Sequence, residues 1–130
     1  MENVVSEIDV DGYTCGGIIG NVSEGTFELT NACVYGNISN KEGSVVGGFV
    51  GGRFVSMSLT NCYFIGSVSS LEKTYADVAV SKYGDSSVNI TIKDVYFNNT
   101  GFDGEKVNNS LSIIGLSKEE INSKLPNNLK

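Results

Sequence analysis

The sequence predicts an all-β chain: a parallel β-solenoid, a right-handed β-helix by the usual handedness of parallel β connections, with about three coils of ~30 residues and a short capping helix at the C-terminal end. Three observations predict it. A glycine block and a Leu-Thr-Asn block recur together at nearly constant spacing. The apolar runs around them are short, rich in Val, Ile, Phe, Tyr and Thr, and bounded by Gly, Asn or Ser, which are strand and turn signals. A helix-start signal stands near the C-terminal end, ahead of the one Pro of the chain.

The first copy of the repeat reads Gly16-Gly17-Ile18-Ile19-Gly20 and then Leu29-Thr30-Asn31-Ala32-Cys33-Val34-Tyr35-Gly36-Asn37-Ile38-Ser39. The second reads Gly47-Gly48-Phe49-Val50-Gly51 and then Leu59-Thr60-Asn61-Cys62-Tyr63-Phe64-Ile65-Gly66-Ser67-Val68-Ser69. The glycine blocks lie 31 residues apart and the Leu-Thr-Asn blocks 30 apart, a one-residue slip that a connecting loop absorbs at little cost. A third, decayed copy, Ile90 to Asn98, puts Asp94 at the place of Asn31 and Asn61, with Tyr96 and Phe97 following as Tyr63 and Phe64 do. Its glycine block is missing, and Ala76 to Val80 stands as the matching strand.

One such repeat cannot bury its apolar face. Stacked copies can, because each lies under the next and all share one core. Equivalent residues then form ladders about 4.8 Å apart. An Asn31–Asn61–Asp94 ladder is expected at a turn, its side chains bonding backbone or the neighbouring coil. The glycines fit tight corners and close approach between coils. They do not fit a phosphate loop, which needs a helix start or a Lys-Ser/Thr after it.

The chain divides into a flank at residues 1–11, the repeats at 12–100 and a cap at 101–130. In the cap, Ser117-Lys118-Glu119-Glu120 is a capping box, so a helix is expected over about Lys118 to Lys124, stopping before Pro126. This helix, with Leu111, Ile113, Ile114 and Leu116 ahead of it, is expected to cover the open solenoid end. The competing reading makes those apolar residues a partner-binding stripe.

Composition narrows the function. Across 130 residues, 40 % are hydrophobic and 18 % charged, which supports a core and argues against a disordered tail. Net charge is −6, and the nine Lys and Arg residues are not clustered, so nucleic acid is not an expected partner. Met1 to Asp11 carries four acids and no basic run before an apolar stretch, and reads as no signal peptide. No apolar stretch is long enough to span a membrane, so membrane insertion is not expected.

There are three Cys and no His. A zinc site of ordinary type and the Ser-His-Asp and Cys-His nucleophile systems are therefore excluded. Cys15, Cys33 and Cys62 read as small buried side chains, with a Cys33–Cys62 disulfide as the competing reading.

These motifs resemble the GLUG-repeat family of bacterial surface proteins. The family pattern is similar to Val46-Gly47-Gly48-Phe49-Val50-Gly51 followed by Asn61-Cys62-Tyr63-Phe64-Ile65-Gly66-Ser67-Val68. Gly16 to Gly20 and Asn31 to Ile38 resemble it with Ala-Cys in place of Cys-Tyr. Tyr96-Phe97-Asn98 and Gly115-Leu116-Ser117-Lys118-Glu119-Glu120 are similar to the stretch that follows a last repeat. The resemblance covers roughly residues 12 to 125. It implies an extracellular or cell-surface location in large secreted or wall-attached proteins, including adhesin-like proteins and the non-catalytic regions of immunoglobulin-A-cleaving metallopeptidases, with adjacent repeats of a longer parent chain as neighbours. It carries no shared catalytic residue and no cofactor.

The remaining candidates for chemistry are few. Asp9 with Asp11, and Asp103 with Glu105, are i, i+2 carboxylate pairs, but glycosidase chemistry needs two carboxyls across a cleft. Asp94, Asn98, Asn99, Asp103 and Glu105 offer oxygen ligands for calcium without any recognised spacing. Five N-x-S/T sequons occur, at Asn21, Asn37, Asn89, Asn98 and Asn108, and would matter in a eukaryotic secreted protein. Strand alternation puts Cys62 and Phe64 on one face and Tyr63 and Ile65 on the other. Tyr35 and Tyr63 are thus the candidate ligand-binding residues, for a host or cell-wall glycan or protein on an outward face. A tyrosine row that packs with its hydroxyls wet is the alternative. The expected function is a non-catalytic structural or adhesive module, with carbohydrate or host-ligand binding as the second possibility.

Overall fold

A computed structural model describes residues 1–7, 9–12, 15–18, 26–40, 46–49, 56–69, 76–77, 89–98 and 113–130. The chain is mostly β. Its main sheet has the order β1 (Glu2–Glu7), β4 (Thr26–Asn40), β6 (Ser56–Ser69), β8 (Asn89–Asn98) and β9 (Ile113–Leu116), with β2 (Val10–Gly12) also pairing to β4. A second, small sheet has the order β3 (Cys15–Gly16), β5 (Val46–Gly47) and β7 (Ala76–Asp77). Every described pairing is parallel.

The registers follow the repeat. Leu29 pairs with Leu59 and Leu59 with Ile92; Val34 pairs with Phe64 and Phe64 with Phe97. Gly16 pairs with Gly47 and Val46 with Ala76, so the decayed third copy keeps its short strand. Residues 1–11, read from sequence as a flank, continue the ladder: Glu2 pairs with Thr30 and Val10 with Ile38. At the other margin Val95 pairs with Ile113, so part of the cap is a further strand of the sheet.

Asn31, Asn61 and Asp94 all have φ 54°, and Asn3 has φ 56°. This left-handed conformation is one that Asn and Asp tolerate better than most residues, because their short polar side chains bond locally. Its effect on the pattern is a change of phase. In β4 the residues that reach the core are Phe27 and Leu29 before Asn31, then Ala32, Val34 and Ile38 after it. Strict alternation would have carried Cys33 inward instead. The same phase change puts Met57 and Leu59, then Cys62 and Phe64, into the core from β6.

That core holds Leu29, Val34, Ile38, Phe49, Leu59, Phe64, Val95 and their neighbours. Phe49 meets Phe64 edge to face, centroids 6.0 Å apart at 74°. Phe49 enters from the short second sheet, which closes tightly on the first. Gly17 N–H donates to the Gly48 carbonyl at 3.0 Å and Ile18 N–H to that of Phe49 at 3.0 Å. A Cβ on Gly17 would stand 2.5 Å from the Gly48 oxygen and 2.6 Å from Val34 Cγ1, so glycine is required there.

The helix, α1 (Lys118–Lys124), forms where its capping box predicts. Glu120 N–H donates to Ser117 Oγ at 3.2 Å and Ser117 N–H to Glu120 Oε1 at 3.4 Å. It ends at Leu125, whose extended conformation (ψ 124°) is what a following proline favours. A 3₁₀ turn, Asn127–Leu129, follows.

Candidate functional site

The second face of the main sheet carries the two candidate tyrosines. Register sets out one row there: Val5, Cys33, Tyr63, Tyr96 and Ile114 are successive partners across five strands. A second row holds Glu7, Tyr35 and Ile65. Alternation thus placed Tyr63 and Ile65 opposite Cys62 and Phe64, as expected, and Tyr35 pairs with Ile65, one step away from Tyr63.

This face is not open. Ile121, Leu125 and Leu129 are buried against Cys33 and Tyr63, with Tyr35, Ile65, Tyr96 and Leu116 packed around them. The C-terminal segment runs across the strands: α1 touches β8 and β9, and the 3₁₀ turn touches β4 and β1. Tyr63 is only 3 % exposed. Tyr63 Oη–H donates to Asn61 Oδ1 at 2.7 Å, with the Lys124 carbonyl at 3.4 Å as a weaker acceptor. Tyr35 Oη–H donates to the Leu129 carbonyl at 3.2 Å. Tyr63 stacks on Tyr96 at 5.5 Å, and Lys124 Nζ lies 5.2 Å from the Tyr96 ring centre.

Two expectations are corrected here. The tyrosine row is packing with its hydroxyls bonded to the chain's own backbone and amide groups, not a surface left free. The helix covers the sheet's face rather than its open end. The reason is apolar area: Cys33, Tyr63 and Ile65 make this face hydrophobic as well, so the sheet needs cover on both sides, as parallel sheets do. Val5, 40 % exposed, and Ile114, 47 % exposed, mark where that cover stops. Ile113 packs towards the core on the other side, and Leu111 lies outside the described residues.

The cysteines follow the two faces. Cys33 belongs to the outer cluster and Cys62 to the core, and both thiols are free. They sit on adjacent strands but point to opposite faces, which rules out the bridge. Cys62 Sγ–H points at the carbonyls of Thr60 (3.4 Å) and Leu29 (3.6 Å). Burial pushes the Cys33 thiol up to about 11 and the Cys62 thiol up to about 12. Both are held as thiols near neutral pH, which removes them as nucleophiles. The side chain of Cys15 lies outside the described residues.

Burial likewise raises Tyr35 to about 12, and raises Tyr63. The unfolded chain would release these protons near 9 for Cys and 10 for Tyr, while the folded chain retains them. Folding stability is therefore fully present below pH ~9 and falls as pH rises towards 12, because unfolding then releases protons. Urea midpoints taken at pH 7, 8, 9, 10 and 11 are expected to be flat to pH 9 and to drop above it. The drop above pH 10 is smaller in Tyr35→Phe.

Among the described residues, the remaining candidates do not assemble into a site. Asp9 Oδ1 accepts the Asn37 backbone N–H at 2.9 Å, and Asn37 Oδ1 accepts from Ser67 Oγ at 2.6 Å. Asp9 is thus part of a polar ladder between strands, and the side chain of its suggested partner Asp11 is not among those described. Of the calcium candidates, Asp94 is exposed on β8 and Asn98 is buried, while Asn99, Asp103 and Glu105 lie outside the described residues. Among the described residues, no group of three or more Cys, Asp or Glu side chains is placed to hold a metal, and no helix is long and apolar enough to cross a membrane.

Sequence reasoning missed Asn3. Its left-handed conformation and its bond to Asn31 make it a member of the amide ladder.

What the fold and face define is a parallel β module with cover on both sides of its main sheet. Compared with family models, with curated proteins and with solved structures, the chain matches none.

Proposed function

We propose that this chain is a non-catalytic β-solenoid repeat module of a bacterial extracellular or cell-surface protein, with a structural or adhesive role of the kind that the resemblance to GLUG repeats implies. The observation that supports it is the register: like residues of successive ~30-residue units are partners across the sheet, from Leu29 through Leu59 to Ile92. A chain built this way spends its side chains on ladders. Asn3, Asn31 and Asn61, which otherwise suggest binding, bond to one another across neighbouring strands. Tyr63 is buried and Tyr35 half-buried, and both hydroxyls are bonded within the chain, which favours this reading over ligand binding through those two residues.

The test pairs location with turnover. An antibody to the purified chain is expected to label intact source cells or their medium, and the chain is expected to release no product from polysaccharide or peptide substrates. Labelling only after the cells are made permeable would overturn the location. Product release abolished by one carboxylate substitution, such as Asp9→Asn, would overturn the non-catalytic role.

A further inference from the structure

The amide ladder has a direction. Asn61 Nδ2 donates to Asn31 Oδ1 at 2.6 Å, and Asn31 Nδ2 donates to Asn3 Oδ1 at 3.2 Å. Each amide passes its hydrogen towards the N-terminal side, from β6 to β4 to β1. Asp94 occupies the next position with the same φ of 54°. A carboxylate has no N–H to give, so Asp94 cannot donate to Asn61. The acceptor on Asn61 is filled instead by the Tyr63 hydroxyl at 2.7 Å. The ladder is closed on the β8 side by chemistry: one residue lacks the donor, and another takes its place. Among the described residues, β9 carries no left-handed Asn or Asp that would resume it.

On the β1 side nothing among the described residues closes it. Asn3 uses its Oδ1 to accept from Asn31, which leaves its Nδ2 available as a donor among the described residues. β1 is the edge of the main sheet, six residues long (Glu-Asn-Val-Val-Ser-Glu), with exposed Glu2 and Glu7 at its two ends and no Lys or Pro between them. An edge row of backbone groups and an outgoing amide donor therefore coincide on one strand.

We propose that the β1 edge is a docking site for a parallel β-strand that carries Asn or Asp in the left-handed conformation, its side-chain oxygen accepting from Asn3 Nδ2. This rests on the reading of the chain as a stacking module, and it adds the end used, the strand direction and the chemistry of the matching residue. A second copy joining through β9 does not meet this requirement, since its described residues offer no such acceptor. The occupant is a further coil of the kind that β4 and β6 represent.

The probe is a synthetic peptide of residues 26–40, which carries Asn31, titrated into the full chain under reducing conditions while backbone amide exchange is followed. The peptide is expected to protect the amides of Glu2–Glu7. Peptide Asn31→Asp keeps the acceptor and is expected to bind comparably, whereas Asn31→Leu binds about tenfold more weakly, the worth of one such hydrogen bond. In the chain, Asn3→Asp retains the oxygen that Asn31 needs and removes the outgoing donor. Asp94 already holds this conformation, so the variant folds, and it is expected to bind the unsubstituted peptide about tenfold more weakly.

Equal binding by the unsubstituted peptide and its Asn31→Leu variant overturns the proposal and leaves the module reading intact. So does loss of binding by the Asn31→Asp peptide alone, or a lack of β1 protection while β4 and β6 are well protected in the free chain. If β4 and β6 exchange freely in the free chain, the register itself is wrong and both readings fall.

Discussion

Gly66→Ala is expected to cost more than about 4 kcal/mol, among the largest effects a single substitution produces. Two independent constraints act at this position. Its φ is +156°, in a region that residues with a Cβ rarely adopt. A Cβ there would also run into the Gly36 carbonyl of the strand beneath, a backbone group that cannot swing aside. Gly36 is the register partner of Gly66, so the strain cannot be relieved without breaking the ladder between β4 and β6. For a domain of this size, 4 kcal/mol corresponds to roughly 15 °C in melting temperature, and out of a total stability of ~5–15 kcal/mol it leaves little or no folded chain. Thermal unfolding followed by circular dichroism reads the effect. A melting temperature within a few degrees of the parent would show that the two glycines do not face each other.

The second large effect is expected at Phe64. Its side chain is 1 % exposed, lies between Val34 and Phe97 in register, and packs edge to face on Phe49. Phe64→Ala is expected to cost about 3–5 kcal/mol, the transfer term plus the cavity left among residues that cannot collapse inward. Glu28→Ala, at an exposed position of β4, should stay within about 0.5 kcal/mol. The contrast, measured as the shift in urea midpoint at constant slope, tests which face of the strand looks inward. Comparable shifts in both variants would deny the phase set by the left-handed Asn positions.

Much of the fold was legible in the chain because it is written twice. The spacing of Leu29 and Leu59 is the sheet register itself, and Asp94 matches Asn31 and Asn61 as expected, although the three lie within β8, β4 and β6 as left-handed residues and not at a turn. The capping box at Ser117 is a local signal and needed no tertiary context. Other parts were hidden for identifiable reasons. Around Asn3 the short apolar run Val4-Val5 divides between the two faces of β1, so it shows no single-faced pattern. The cover over the outer tyrosines was invisible because it joins residues far apart, Tyr35 to Leu129 and Tyr63 to Lys124. Alternation identified which face those tyrosines occupy, but not what lies on top of them. That missing contact turned a candidate ligand surface into a second interior.

The most direct measurement is a solution NMR search for cross-strand contacts among backbone protons of Leu29, Leu59 and Ile92. Units laid one over another at ~4.8 Å predict sequential contacts from Leu29 to Leu59 and from Leu59 to Ile92, in a parallel pattern. Contacts in an antiparallel pattern, or none linking these three residues, would contradict it.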